Sequence, residues 1–188
     1  MNTQKIKTIE EYLNSHSSQM EEIIDNLVEF ATLHPGHIVP QAYFQMLARI
    51  VPQCSIELMI LKKIEDEVQI FLIQRPENDP EWPNKWHFPG CIMRFDDTEK
   101  TMLDRLLNDE LQNSNLKPNL AFTYVTTSKT RRRGPCMHLV HIEKVVPNTE
   151  FETGQFYNIN KLPEKTIHHH RDMIGEMKTR WLKTNFFD

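Results

Sequence analysis

The stretch from Trp86 to Asn113, WHFPGCIMRFDDTEKTMLDRLLNDELQN, constrains the fold more than any other part of this 188-residue chain. It reads as an extended segment, a Pro89-Gly90 turn, an acidic loop and then a helix. Asp97 or Thr98 is the expected N-cap, since a short side-chain oxygen there accepts unpaired first-turn amides. Leu103, Leu107 and Leu111 recur at i, i+4, with Met102 and Leu106 beside them, so one stripe of the helix is buried. Arg105, Asp109 and Glu110 then sit a turn or more inside the helix, with Asp97 at its mouth. Acids grouped at a loop–helix junction suit Mg²⁺, a hard cation that prefers carboxylate, carbonyl and water oxygens. Magnesium held there would in turn hold a diphosphate.

This stretch resembles the box of the Nudix hydrolases, a Gly, a Glu and an Arg-Glu-x-x-Glu-Glu-x-Gly helix at fixed spacing. Pro89-Gly90 stands as that family's turn, and Cys91 falls where the box Gly is usual. Asp97 falls at the first box Glu and Arg105 at the box Arg. Leu106 replaces the following Glu, Asp109 the next, Glu110 is retained, and Gln112 replaces the closing Gly. GDP-mannose mannosyl hydrolases, one branch of the superfamily, also carry Arg-Leu and keep one essential Glu further along. Arg105-Leu106-Leu107-Asn108-Asp109-Glu110 is similar to that variant. So are Pro40-Gln41-x-x-Phe44, Arg49, Pro52, Ser55-Ile56-Glu57-Leu58, Gln74-Arg75-Pro76 and Trp86-x-x-Pro89-Gly90. The resemblance spans roughly residues 38–165.

Composition narrows the partners. Lys plus Arg number 22 against 26 for Asp plus Glu, a formal charge of −4. Mild acidity argues against a broad nucleic-acid or anionic-membrane surface, while leaving room for a small phosphate ligand held by a few cations. Cys54, Cys91 and Cys136 lack paired metal spacing and read as reduced thiols. The polar N-terminus carries no signal-peptide pattern. No apolar run approaches the ~20 residues that span a bilayer. A cytoplasmic protein is expected.

Along the chain, residues 1–36 read as an added helical piece. Ser18 and Glu21 fit a capping box, and Met20, Ile23, Ile24, Leu27, Val28 and Ala31 form an apolar face behind it. His34-Pro35-Gly36 would end that helix. Its face packs on the main domain or forms a dimer or partner contact, and the spacing does not choose. Residues 37–188 form the main domain. Gln41 to Ile50 is a short helix, and Ser55 to Lys62 and Glu67 to Gln74 are strands of a hairpin turned by Ile64 to Glu67. After the box helix come strands at Leu120 to Thr127, Met137 to Val146 and Gln155 to Ile159. A last helix begins near Arg171. Strands interleaved with a central helix imply a mixed α/β sandwich; the resemblance makes it a Nudix-type α/β/α sandwich with an added N-terminal helical segment.

The resemblance implies a Mg²⁺-dependent hydrolase of a nucleoside diphosphate linked to another group, with a nucleotide sugar such as GDP-mannose as first choice. Mn²⁺ is the alternative ion. A binding or regulatory module that has lost catalysis is the competing reading. Glu110 is the expected first metal ligand. Asp109, which can also pair with Arg105 at i, i+4, is a second, with Asp97, the Cys91 carbonyl and Glu150 beside them. Arg75 and Arg105 fall near the diphosphate, since the planar guanidinium gives paired hydrogen bonds to phosphate oxygens. Arg94 joins them. Arg131, Arg132 and Arg133 are either a solvated hairpin loop or a nucleotide clamp. The branch's Gln ligand and His base match Glu150 and Phe151, and Phe151 cannot accept a proton. Glu152, His138, His141 and the run His168-His169-His170 are the remaining bases, with His138 and His141 on opposite faces of their strand. The expected partners are a small-molecule nucleotide and a second copy in a homodimer, with neither nucleic acid nor membrane.

Overall fold

A computed structural model describes residues 3–33, 41–94, 96–112, 116, 118, 123–130 and 134–181. The chain divides into two compact units, Met1–Phe44 with Arg94–Asp96, and Gln45–Met93 with Asp97–Asp188. The first holds α1 (Thr3–Ser15) and α2 (Ser17–Leu33), where one helix was expected. His16 alone separates them: its amide donates back to the Leu13 carbonyl, and its own carbonyl accepts from Met20. α3 spans Gln41–Ile50.

The second unit is built on a seven-stranded mixed sheet of order β3-β2-β1-β6-β5, with β4 added to β1 and β7 to β2. β1 (Gln53–Ile64), β2 (Glu67–Gln74), β3 (Trp86–His87), β4 (Gly90–Ile92), β5 (Thr123–Thr130), β6 (Gly134–Lys144) and β7 (Gln155–Asn158) pair antiparallel except β1 with β6. β1 is buried on both faces, so its side chains alternate between two cores. Ile56, Leu58 and Ile60 meet Met102, Leu103, Leu106 and Leu107 of α4 (Glu99–Asp109) on one side. Met59 and Leu61 meet Met173, Ile174 and Met177 of α5 (His168–Arg180) on the other. The expected mixed α/β fold is the one observed.

Two local expectations change. Gly90 does not sit in a turn: it opens β4 opposite Glu57 and has no positive φ. α4 ends at Asp109, which makes Glu110 its C-cap instead of an interior residue. At the other end Thr98 is the N-cap, in a capping box closed by Thr101 where Glu or Gln is usual.

Candidate functional site

Period-two alternation on β1 puts Ser55 and Glu57 on the α5 side, in step with Met59 and Leu61. Both side chains are buried. The parallel neighbour β6 sets His138 opposite Ser55. Ser55 Oγ donates to Glu57 Oε1 at 2.9 Å, and His138 Nδ1 lies 2.7 Å from Ser55 Oγ and 3.2 Å from Glu57 Oε1. The other ring nitrogen, Nε2, is 2.6 Å from Ser128 Oγ on β5. Burial alone would depress the His138 pKa. The nearby Cys136 sulfur and the hydrogen bond and charge of Glu57 outweigh it and push the value up to about 9. His138 is therefore an imidazolium at neutral pH, donating from both nitrogens. That arrangement does not suit a general base; it holds the Glu57 side chain in place.

The second oxygen of Glu57 points at β4. A Cβ built on Gly90 would lie 1.9 Å from Glu57 Oε2, so only glycine leaves room for this carboxylate. The β1–β4 ladder fixes the rest. Leu58 N–H donates to the Pro89 carbonyl and Met93 N–H to the Cys54 carbonyl. Hydrogen-bonded pairs alternate with open ones in an antiparallel ladder, so Ile56–Cys91 is bonded and Glu57–Gly90 is open. The Cys91 carbonyl is thus occupied by the ladder, while the Gly90 carbonyl points away from β1. Gly90 N–H, on the same side as that oxygen, donates to Glu110 Oε2 at 3.3 Å. Two carboxylates and a carbonyl converge at the start of β4.

Glu110 is partly buried, and loss of water pushes its pKa up to about 7, against the opposing effects of the Gly90 hydrogen bond and the Arg75 charge. Glu57 and Asp109 raise it further. The charge of Arg75, a cation anticipated for phosphate, reaches Glu110, and Arg75 is held by Asp79 at 3.0 Å. Thr153 Oγ1 donates to the Glu110 carbonyl at 2.8 Å, which ties the loop carrying Glu150 and Glu152 to the end of α4. Both of those glutamates are exposed.

Other anticipated residues serve the frame. Arg105 does not pair with Asp109, which is exposed; it ion-pairs with Asp97 and donates to the Ile92 carbonyl at 3.1 Å. Asp97, next to the Thr98 N-cap, is the acid that meets the Arg105 guanidinium, ahead of the i+4 acid. Leu106 is fully buried, so the position of the missing box Glu belongs to the core. Burial pushes the Cys91 thiol up to about 11, and its Sγ donates to the Met102 carbonyl at 3.5 Å. Phe151 packs on Phe71 and Phe156. His141 faces the α4 side, near Glu99, with its pKa lowered by burial. Arg94 falls with the first unit, and Arg131 and Arg133 lie outside the described residues.

α5 begins at His168, three residues before the expected start, so the histidine run is its first turn. His170 is buried and held neutral, its ring 4.1 Å from Phe88, while His169 stacks on His138 at 5.8 Å. His169, Ser128, Trp82, Thr127 and Asp172 line a cleft of about 450 Å³. Periodicity singled out neither this cleft nor Glu57. The available signal for Glu57 was a carboxylate inside an apolar strand run.

The donor set fits Mg²⁺, which takes one or two carboxylates and completes its shell with water and substrate phosphate. Among the described residues no group of three or more His, Cys, Asp or Glu forms a dedicated metal cage. No helix there is long and apolar enough to cross a membrane.

No protein-family model matches the sequence, and no curated protein matches it. Solved structures do. An Ap4A hydrolase from C. elegans is 10% identical with a TM-score of 0.54, over 69% of this chain and 97% of that one. The NUDIX domain of Shewanella oneidensis NrtR, complexed with ADP-ribose, is 13% identical with a TM-score of 0.51, over 76% and 99%. The MutT protein of Methanosarcina mazei is 15% identical with a TM-score of 0.55, over 69% and 96%. Identities this low speak for architecture alone, and on that ground the chain has the Nudix fold.

Proposed function

We propose that this protein is a Mg²⁺-dependent hydrolase of a nucleoside diphosphate joined to a further group, with a nucleotide sugar such as GDP-mannose as the first substrate to test. The observation that carries the reading is the convergence of Glu110, Glu57 Oε2 and the Gly90 carbonyl at the start of β4. These three groups would hold the cation, and Mn²⁺ would fit the same oxygens. When bound, the ion neutralises the diphosphate and stabilises charge developing on it. His138 holds Glu57 in place, Arg75 adds positive charge beside Glu110, and Arg105 holds Asp97. The cleft beside His169 is of a size that takes a nucleoside, with Trp82 as an aromatic wall and Asp172 and Ser128 as polar contacts. The Nudix neighbours act on or bind Ap4A and ADP-ribose, by their names, which supports the substrate class.

Two bonds are open to water. Attack at the anomeric carbon breaks the C–O bond and releases free sugar and an intact nucleoside diphosphate. Attack at phosphorus breaks the anhydride and leaves a nucleoside monophosphate and a sugar phosphate. Phe151, partly buried against Phe71 and Phe156, supplies no base for the first route, which leaves Glu152 and the Glu57 carboxylate as proton acceptors. One observation favours a second reading, a nucleotide-binding module: Leu106 is in the core, Asp109 is exposed, and the carboxylate at the end of α4 that bonds to Gly90 is Glu110.

Incubation with Mg²⁺ and a panel of nucleotide sugars, dinucleotides and nucleoside triphosphates in ¹⁸O water tests the proposal. Free sugar with unlabelled diphosphate identifies attack at carbon; labelled monophosphate identifies attack at phosphorus. Absence of turnover on every compound, with nucleotide binding unchanged in Glu110→Gln, replaces the hydrolase with the binding module.

A further inference from the structure

The first unit carries a pattern that the candidate site does not use. Ile6, Leu13, Met20 and Leu27 are spaced by seven, and Ile9, His16, Ile23 and Phe30 repeat three residues behind them. Seven of these eight are apolar. On the opposite face of the helices every residue from Lys7 to Glu29 is polar except Val28. Ile6, Ile9, Leu13, Met20 and Ile23 are 36–45% exposed. The repeat runs through the His16 break without a change of phase, since Leu13 and Met20 flank it seven apart. A strict seven-residue repeat, unlike a 3.6-residue one, stays on one side only if the helix supercoils about a partner.

We propose that α1 and α2 form one strand of a parallel, in-register coiled coil with a second copy of this chain. Charge favours this partner and this direction. In a parallel pair each residue before a seam position faces the partner residue five further along. Lys5 then meets Glu10 of the other copy, and the remaining pairs, Tyr12–Ser17, Gln19–Ile24 and Asn26–Ala31, contain no like charges. An antiparallel pair layers Ile9 on Leu27 and leaves Lys5 beside the apolar Leu33, so the complementary contact is lost. His16 is the single polar seam residue, stacked on Tyr12 at 4.2 Å. A lone polar residue in a seam lowers stability and fixes register, because a shifted pairing would bury it against an apolar layer.

Sedimentation of the full chain at micromolar concentration tests the proposal. The wild type is expected to be a dimer. Ile9→Lys with Ile23→Lys, both at exposed seam positions, should weaken it at least ~100-fold, while circular dichroism of the sheet domain stays unchanged. Ile9→Cys, oxidised and mapped by mass spectrometry, should give a disulfide between the two copies of position 9. A monomeric wild type, or a dimer that survives the double substitution, overturns the coiled coil. A dimer without the position-9 link overturns the parallel register.

Discussion

Glu57 Oε2 occupies the space that any side chain on Gly90 would need, 1.9 Å from the position of its Cβ. Glycine is required here by this close approach and not by a left-handed backbone. Gly90→Ala must push the Glu57 carboxylate aside, and with it the contact to His138. Overpacking of this kind costs ~1–3 kcal/mol. We expect a lower Tm and loss of the Mg²⁺-induced rise in Tm. Gly175→Ala is the control: a Cβ there meets nothing within 4 Å, and in a helix Ala is favoured by ~1 kcal/mol. Equal Mg²⁺ responses in Gly90→Ala and wild type would exclude Glu57 and Gly90 from the cation site.

Glu110 links the cation to pH. Its folded-state pKa stands near 7, above the ordinary 4.5, so the folded chain holds this proton more tightly than the unfolded one. Stability from this group falls as pH rises from about 4.5 to 7, by an amount on the order of 3 kcal/mol. Binding a cation needs the deprotonated carboxylate and offsets the loss. Thermal unfolding should therefore show a Mg²⁺ effect that is small at pH 5, grows through pH 7 and is absent in Glu110→Gln. A Mg²⁺ effect independent of pH would separate Glu110 from the cation.

How much of this was legible depends on the range of each interaction. The leucine stripe of α4, its start near Thr98 and the β1–β2 hairpin follow from local spacing, and each is found where spacing puts it. Glu57 was visible as a residue but not as a site, because its meaning comes from Gly90, 33 positions away, across a ladder that periodicity does not specify. The i, i+4 rule favoured Asp109 for Arg105; the partner is Asp97, eight residues before it and outside the helix. The start of α5 was set too late because Ile167 caps without a side-chain hydrogen bond, so His168 to His170 give no start signal.

His138 makes a prediction of opposite chemistry but the same sign. Its folded pKa of about 9 lies above the ordinary 6.5, so its pair with Glu57 contributes fully below pH 6.5 and is lost as pH rises through 9. Denaturant unfolding between pH 6 and 10 should show this decline in the wild type and a flatter profile in His138→Gln. Because His138 fixes Glu57, the same substitution should weaken Mg²⁺ binding by ~10–100-fold, as loss of a supporting hydrogen bond does at other metal sites. An unchanged pH profile in His138→Gln would mean that the imidazole is neutral in the folded chain.

Arg105 decides between a frame and a phosphate contact. Its Nη2 is held by Asp97 and the Ile92 carbonyl, while its Nε is buried without a hydrogen-bond partner among the described residues, and both side chains of the ion pair are largely buried, 16% and 8% exposed. Removing one partner leaves a charge without its counterpart, at ~3–5 kcal/mol for a fully buried pair. Arg105→Ala and Asp97→Ala should each lower Tm, and the double variant should lose less than their sum, because the second substitution removes the stranded charge. A frame role also predicts that the double variant regains part of the kcat lost in Arg105→Ala while KM moves little. If Arg105 instead grips the diphosphate, KM rises in Arg105→Ala and Asp97→Ala restores nothing, which steady-state kinetics on whichever substrate turns over will distinguish.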